Sequence, residues 1–164
     1  MAGRITMSEE QLRPDPVHDD LVLAKFINCI MYDGKKSRAQ RVMYDALKLI
    51  DERLARSTAE DKPENGLAVF HIAVENVKPF VEVRSKRIGG ANYQVPIQVN
   101  KKRQQSLAFR WIIQAARADK GRPMAERLAE ELIMAAKGEG KAMNTRDQTH
   151  RMAEANKAFS HFAR

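Results

Sequence analysis

For most of its length this chain spaces apolar side chains at the three-to-four-residue interval of an amphipathic helix, but between Phe80 and Val99 the interval drops to two. Val81 and Val83 alternate with Glu82, Arg84 and Lys86, and Tyr93, Val95, Ile97 and Val99 alternate with Gln94, Pro96 and Gln98. Between the two runs stand Gly89 and Gly90, which can adopt the positive φ of a tight hairpin turn. Pro96 lacks a backbone donor and suits an exposed edge. No third extended run accompanies them, so the two strands can pair only with each other. A lone hairpin is marginal in water, and this one needs a surface to lie on or a partner to bind.

Helical spacing fills the rest. Asp19 or Asp20 can cap a first helix that carries Leu23, Phe26, Ile27, Ile30 and Met31 and stops at Gly34. Ser37 and Gln40 form a capping box for a second, from Ser37 to about Arg56. After the polar linker STAEDKPENG, a third runs from about Pro63 to Val77, and Pro79 ends it. A fourth spans about Lys101 to Asp119, with Leu107, Trp111, Ile112 and Ala115 inward and Arg103, Arg110 and Arg117 along another face. Pro123 opens a fifth, which ends in KGEGK; Thr145 and Gln148 box-cap a sixth bearing Met152, Ala155 and Phe159. The predicted fold is mainly α: six helices in one domain over residues 19–164, with a protruding two-stranded β-hairpin at about 80–99 between helices three and four. Residues 1–18, with Pro14 and Pro16 around Asp15, are expected to form an extended arm.

The net charge of +8 is unevenly spread. Residues 78–110 hold Lys78, Arg84, Lys86, Arg87, Lys101, Lys102, Arg103 and Arg110 against Glu82 alone, or 8 − 1 = +7, which leaves +1 for all the others. A field so concentrated points to a polyanion, because lysine and arginine meet the phosphates of any nucleic acid regardless of its sequence. Tyr93 can stack on a base or pack on the helical body, and Arg110 can meet a phosphate or a surface carboxylate. Lys35 and Lys36, in DGKKS before the second helix, can likewise hold a backbone phosphate.

Other chemistries lack their residues. DGKKS does not complete a phosphate loop, since Cys29 stands where that motif needs its first glycine. Extended residues, not a helix, follow the glycine pair, which excludes a dinucleotide fingerprint. His18, His71, His150 and His161 lack metal-ligand spacing, and one cysteine gives neither a disulfide nor a zinc cluster. Cys29 reads as a small core residue. Glu130 and Glu131 are adjacent on a helix and so point in different directions. No catalytic constellation, metal, cofactor or small-molecule substrate is expected. Neither a membrane span nor a secretory leader is legible, and a reducing compartment fits the cysteine count.

Three stretches, LAKFINCIMYDGKKS (23–37), ENVKPFVEVRSKRIGGANYQVPIQV (75–99) with LAFRWIIQAAR (107–117), and HRMAEANKAFSHF (150–162), together resemble the small-subunit ribosomal protein S-seven family of bacterial type. The likeness runs from about Pro14 to Phe162. It implies a non-enzymatic structural protein of the ribosome, cytoplasmic or organellar, that binds the 3′ major domain of small-subunit ribosomal RNA and starts assembly of the subunit head. It further implies a ribbon beside the exit site, near messenger RNA and the departing transfer RNA, and a neighbour of the S-eleven type near the ribbon and last helix. Carried onto matching positions, the RNA contacts are Lys35, Lys36, Arg84, Lys86, Arg87, Gly89, Gly90, Tyr93, Gln94, Lys101, Lys102, Arg103 and Arg110. One departure stands out. Relatives usually begin with a basic arm, whereas residues 1–20 hold Arg4 and Arg13 against Glu9, Glu10, Asp15, Asp19 and Asp20, or 2 − 5 = −3. A free-standing helical DNA-binding regulator is the alternative, with the fourth helix and its Gln104, Gln105 and Arg103 as the only candidate for reading bases.

Overall fold

The computed structural model describes residues 12–56 and 63–163. The chain divides into two compact units, residues 1–44 and 45–164, and each is taken by itself. Residues 1–11 of the expected arm and 57–62 of the expected linker lie outside the described residues.

In the first unit, α1 (Leu21–Ile30) starts where Asp20 accepts a hydrogen bond from Leu23 N at 2.6 Å. Leu23, Ala24, Phe26, Ile27 and Ile30 form its buried stripe. Cys29 falls past the edge of that stripe and is exposed, so it is not the core residue expected. Asp33 and Gly34 turn the chain with φ of 50° and 70° into α2 (Lys36–Arg56). Ser37 therefore lies within the first turn of α2 rather than ahead of it.

Residues 12–18, the described part of the segment expected as an arm, turn around one side chain. Asp15, only 2% exposed, gathers them: its carboxylate accepts from Val17 N and His18 N at 3.2 Å each and from the Tyr44 hydroxyl at 2.7 Å. Burial, and then the bond to Asp15, push the Tyr44 phenol from its ordinary 10 up to about 12. A raised folded pKa means stability that is complete below pH 10 and lost as pH rises toward 12. Tyr44→Phe is expected to cost about 1–3 kcal/mol, because a buried carboxylate oxygen loses its donor. It should also erase that alkaline decline in a denaturant titration repeated between neutral and alkaline pH.

The second unit contains the rest of α2, then α3 (Gly66–Val77), β1 (Val81–Ile88), β2 (Ala91–Gln98), α4 (Lys101–Ala118), α5 (Met124–Ala136), α6 (Lys141–Ala155) and a 3₁₀ helix (Lys157–Ala163). The mainly helical class with a hairpin between the third and fourth helices is as expected. α3 begins at Gly66 because two side chains meet its free N–H groups: Asn65 bonds Ala68 N and Asp51 bonds Gly66 N, at 2.8 and 2.6 Å. Phe70, Val77, Phe109, Ile112, Leu128 and Leu132 fill the core among α3, α4 and α5. Asn76 closes the end of α5 through two 3.0 Å bonds to the carbonyls of Ala135 and Ala136.

Both ends of α6 differ from expectation. α6 starts at Lys141, four residues before the Thr145 box; Thr145 instead donates from inside the helix to the carbonyl of Lys141. The cap comes from α5, where the buried Glu131 carboxylate accepts Ala142 N at 2.8 Å. A cap supplied from another helix leaves no local signature. At the other end α6 stops at Ala155, so Phe159 belongs to the 3₁₀ helix.

Candidate nucleic-acid interface

The hairpin closes on two residues. Ile88 faces Ala91, and Gly89 and Gly90 between them have φ of 57° and 88°. Positive φ at both central positions is the type I′ turn, whose twist matches that of the paired strands. At the base, Val99 N donates to the carbonyl of Phe80 at 3.1 Å, and Phe80 N donates to His150 Nε2 of α6 at 3.2 Å. The Phe80 and His150 rings stack 6.0 Å apart. Burial, followed by the charge of Arg146, lowers the His150 pKa and keeps the ring a neutral acceptor.

Register decides which side chains share a face. Glu82 stands opposite Ile97, Arg84 opposite Val95 and Lys86 opposite Tyr93. The apolar row of β2 therefore lies on the same face as Glu82, Arg84 and Lys86, while Arg87 lies on the other with Asn92 and Gln94. The mixed face rests on α6 and the 3₁₀ helix. Tyr93 packs there against Phe159 and Phe162, ring centroids 5.3 and 5.4 Å away. Packing, one of its two sequence readings, is seen in the structure. Lys86 Nζ donates to the carbonyl of Phe162 at 2.8 Å. The ribbon is thus supported by its own chain along one face, and its tip, from Arg84 to Asn92, is exposed apart from a half-buried Ile88.

β2 runs almost directly into α4. Asn100 caps the helix by accepting Arg103 N at 2.9 Å. The first turn holds Lys101, Lys102 and Arg103 and no acid. The N-terminal end of a helix dipole is positive, and each cation there costs about 0.3–1 kcal/mol unless an anion joins it. Glu82 offsets part of this charge: 8% exposed, it bonds Arg84 through one carboxylate oxygen and Arg103 through the other.

Of the thirteen residues expected to meet RNA, eleven thus fall on the ribbon and α4. Arg87, Gly89, Gly90, Gln94, Lys101, Lys102 and Arg110 are exposed, and Arg87, Lys101 and Arg110 form no ion pair with the described residues. Arg84 and Arg103 share Glu82, and Lys86 and Tyr93 engage the 3₁₀ helix. Lys35 and Lys36 belong to the first unit, where Lys35 pairs with Asp33 at 3.3 Å and Lys36 begins α2. Gln104 and Gln105 are half-buried beneath the first turn of α4, a poor position for reading bases. The part that sequence reasoning missed is Glu82; the signal was there, as the lone acid in a strongly basic stretch. Glu130 and Glu131 do diverge. Glu130 takes Arg122 at 2.5 Å and Arg53 at 3.3 Å, while Glu131 turns inward to cap α6.

The family model for ribosomal protein S7p/S5e matches residues 2–157. The chain belongs to this family. A relative from Rhodopirellula baltica, small ribosomal subunit protein uS7, is 59% identical over 161 residues, 98% of this chain and 99% of the relative. Proteins of the same name from a Nitratiruptor species and from Thermotoga neapolitana are 53% and 52% identical, each over 152 residues and 93% of both chains. The family consists of structural ribosomal proteins and is not enzymatic. No helix among the described residues is long and apolar enough to cross a membrane, and no group of three metal-ligating side chains occurs among them.

Proposed function

We propose that this chain is a primary binder of the 3′ major domain of small-subunit ribosomal RNA, and that it starts assembly of the subunit head. Membership of the S7p/S5e family makes it a structural component of the small ribosomal subunit, at work in translation. The finer reading rests chiefly on one observation: Arg87, Lys101 and Arg110 are exposed cations without a carboxylate of their own among the described residues, on a ribbon and the helix that follows it. Cations kept in this state gain most when phosphates replace their water and counterions. Lys102 and the backbone at Gly89, Gly90 and Gln94 extend the same surface, and Lys35 and Lys36 supply further phosphate contacts from the first unit. The exposed tip is slim enough to lie beside messenger RNA and the transfer RNA leaving the exit site. A cleft of about 470 Å³ lined by Val81, Ile97, His150, Ala153 and Lys157 offers a neighbouring S-eleven-type protein a seat at the ribbon and last helix.

The test is co-sedimentation. The protein should travel with small subunits and be released by RNase but not by DNase; release by DNase alone would favour the DNA-binding alternative. Deleting residues 1–12, which are acidic on balance, is expected to lower RNA affinity less than about threefold, because a segment without net positive charge releases few counterions. Filter binding of the truncated chain checks this, and a loss of tenfold or more would make the segment a working part of the interface.

A further inference from the structure

We propose that Glu82 is a positioning residue for RNA binding, one that holds Arg84 and Arg103 as a fixed pair for a single phosphate or two adjacent ones. The inference rests on the proposed RNA interface and adds a member to it that carries the wrong charge for the task.

The geometry is specific. Oε1 of Glu82 takes both Nε of Arg84, at 2.6 Å, and Nη2 of Arg84, at 2.5 Å. Oε2 takes Nε of Arg103 at 3.1 Å. The Glu82 side chain is only 10% exposed, whereas those of Arg84 and Arg103 are 59% and 39% exposed. The carboxylate is therefore beneath, and the guanidiniums reach from it toward solvent. Arg84 spends one edge of its planar fork on Glu82, and Arg103 spends only its Nε. The remaining N–H groups of both stay available, and a guanidinium fork matches two phosphate oxygens at once.

Two forces oppose each other at this point. The negative charge of Glu82 weakens the attraction for a phosphate. Fixing two long side chains in advance removes ordering entropy that binding would otherwise have to overcome. The carboxylate lies under its two cations, so the assembly presents net positive charge outward and the second effect dominates. Glu82 also ties β1 to the first turn of α4, which fixes the angle between the two elements that carry the cations.

The two roles predict opposite signs. A mere counter-charge, once neutralised by Glu82→Gln, leaves a protein one charge more positive that binds RNA more tightly. A positioning residue, when changed, loosens both arginines and weakens binding. We expect Glu82→Gln to lower affinity for the RNA head domain about tenfold, the size of coupling seen within one hydrogen-bond network. The salt slope should fall by about 0.7 to 0.9 for each phosphate no longer held. Unchanged or tighter binding overturns the inference. Arg84→Lys, which keeps both Glu82 and the charge, provides a second arm should Glu82→Gln unfold. It too should lose severalfold in affinity if the fork matters, and full affinity would again overturn the inference. Arg87→Ala, measured alongside, reports on the interface itself. If Arg87→Ala is silent the RNA-interface reading is at fault; if only the Glu82 and Arg84 variants are silent, the positioning role is.

Discussion

Replacing Arg87, Lys101 and Arg110 together by alanine is expected to lower affinity for the ribosomal RNA head domain on the order of a hundredfold, three charge-assisted bonds at about 1 kcal/mol each. The slope of log affinity against log salt should shrink by about 2 to 3, since each phosphate held carries about 0.7 to 0.9. These three are the informative choice because none spends its charge on another described residue. Arg84, Arg103 and Lys86 each hold up part of the ribbon, so removing them would mix folding with binding. The exposed trio can be removed with stability held within about 0.5 kcal/mol. Filter binding across a salt series, with a thermal melt of the same sample, separates the two effects.

Gly140→Ala is expected to damage the fold strongly for so small a change, at about 3–4 kcal/mol, or roughly 10 °C in melting temperature. Gly140 has φ of +100°, a region that costs an L-residue about 1–3 kcal/mol. A Cβ there would also stand 2.9 Å from Oε1 of Glu131 and 3.2 Å from Cβ of Met134. That oxygen is not free to retreat, because it caps Ala142 N from a buried position. Gly138→Ala is the control: φ is +82° but nothing lies within 4 Å, so it should show the backbone strain alone. Equal losses at the two positions would mean that crowding against Glu131 adds nothing to the backbone strain. Burial raises the Glu131 pKa above its ordinary 4.5, the largest influence on it. The native state then holds its proton longer than the unfolded chain, and stability falls as pH rises through the raised value. Glu131→Gln keeps an oxygen for Ala142 N and should remove that decline.

The elements that could be read from sequence are those whose causes are local. The change from helical spacing to alternation at Phe80, the paired glycines and the resumption at Lys101 located the ribbon to within a residue or two. Pro123 likewise marked the start of α5, whose first residue is Met124. What escaped depends on residues far apart in the chain. The start of α6 is set by Glu131, the fold of residues 12–20 by Tyr44, and the support of the ribbon by Phe159 and Phe162. Alternation alone separated the two faces of each strand. It could not say that register would put Glu82, Arg84 and Lys86 with Val95 and Tyr93. For the same reason the basic cluster was legible as a total of charge, while its division into partnered arginines and unpaired cations was not.

Ultraviolet cross-linking of the full chain to the ribosomal RNA head domain, followed by mass-spectrometric mapping of the linked peptides, reports where the chain meets RNA. The strongest cross-links are expected on the ribbon tip around Arg87 to Gln94 and on the first turns of α4 from Lys101 to Arg110. Cross-links concentrated on α5 or α3, with the ribbon and α4 unmarked at full RNA occupancy, would contradict the proposed interface.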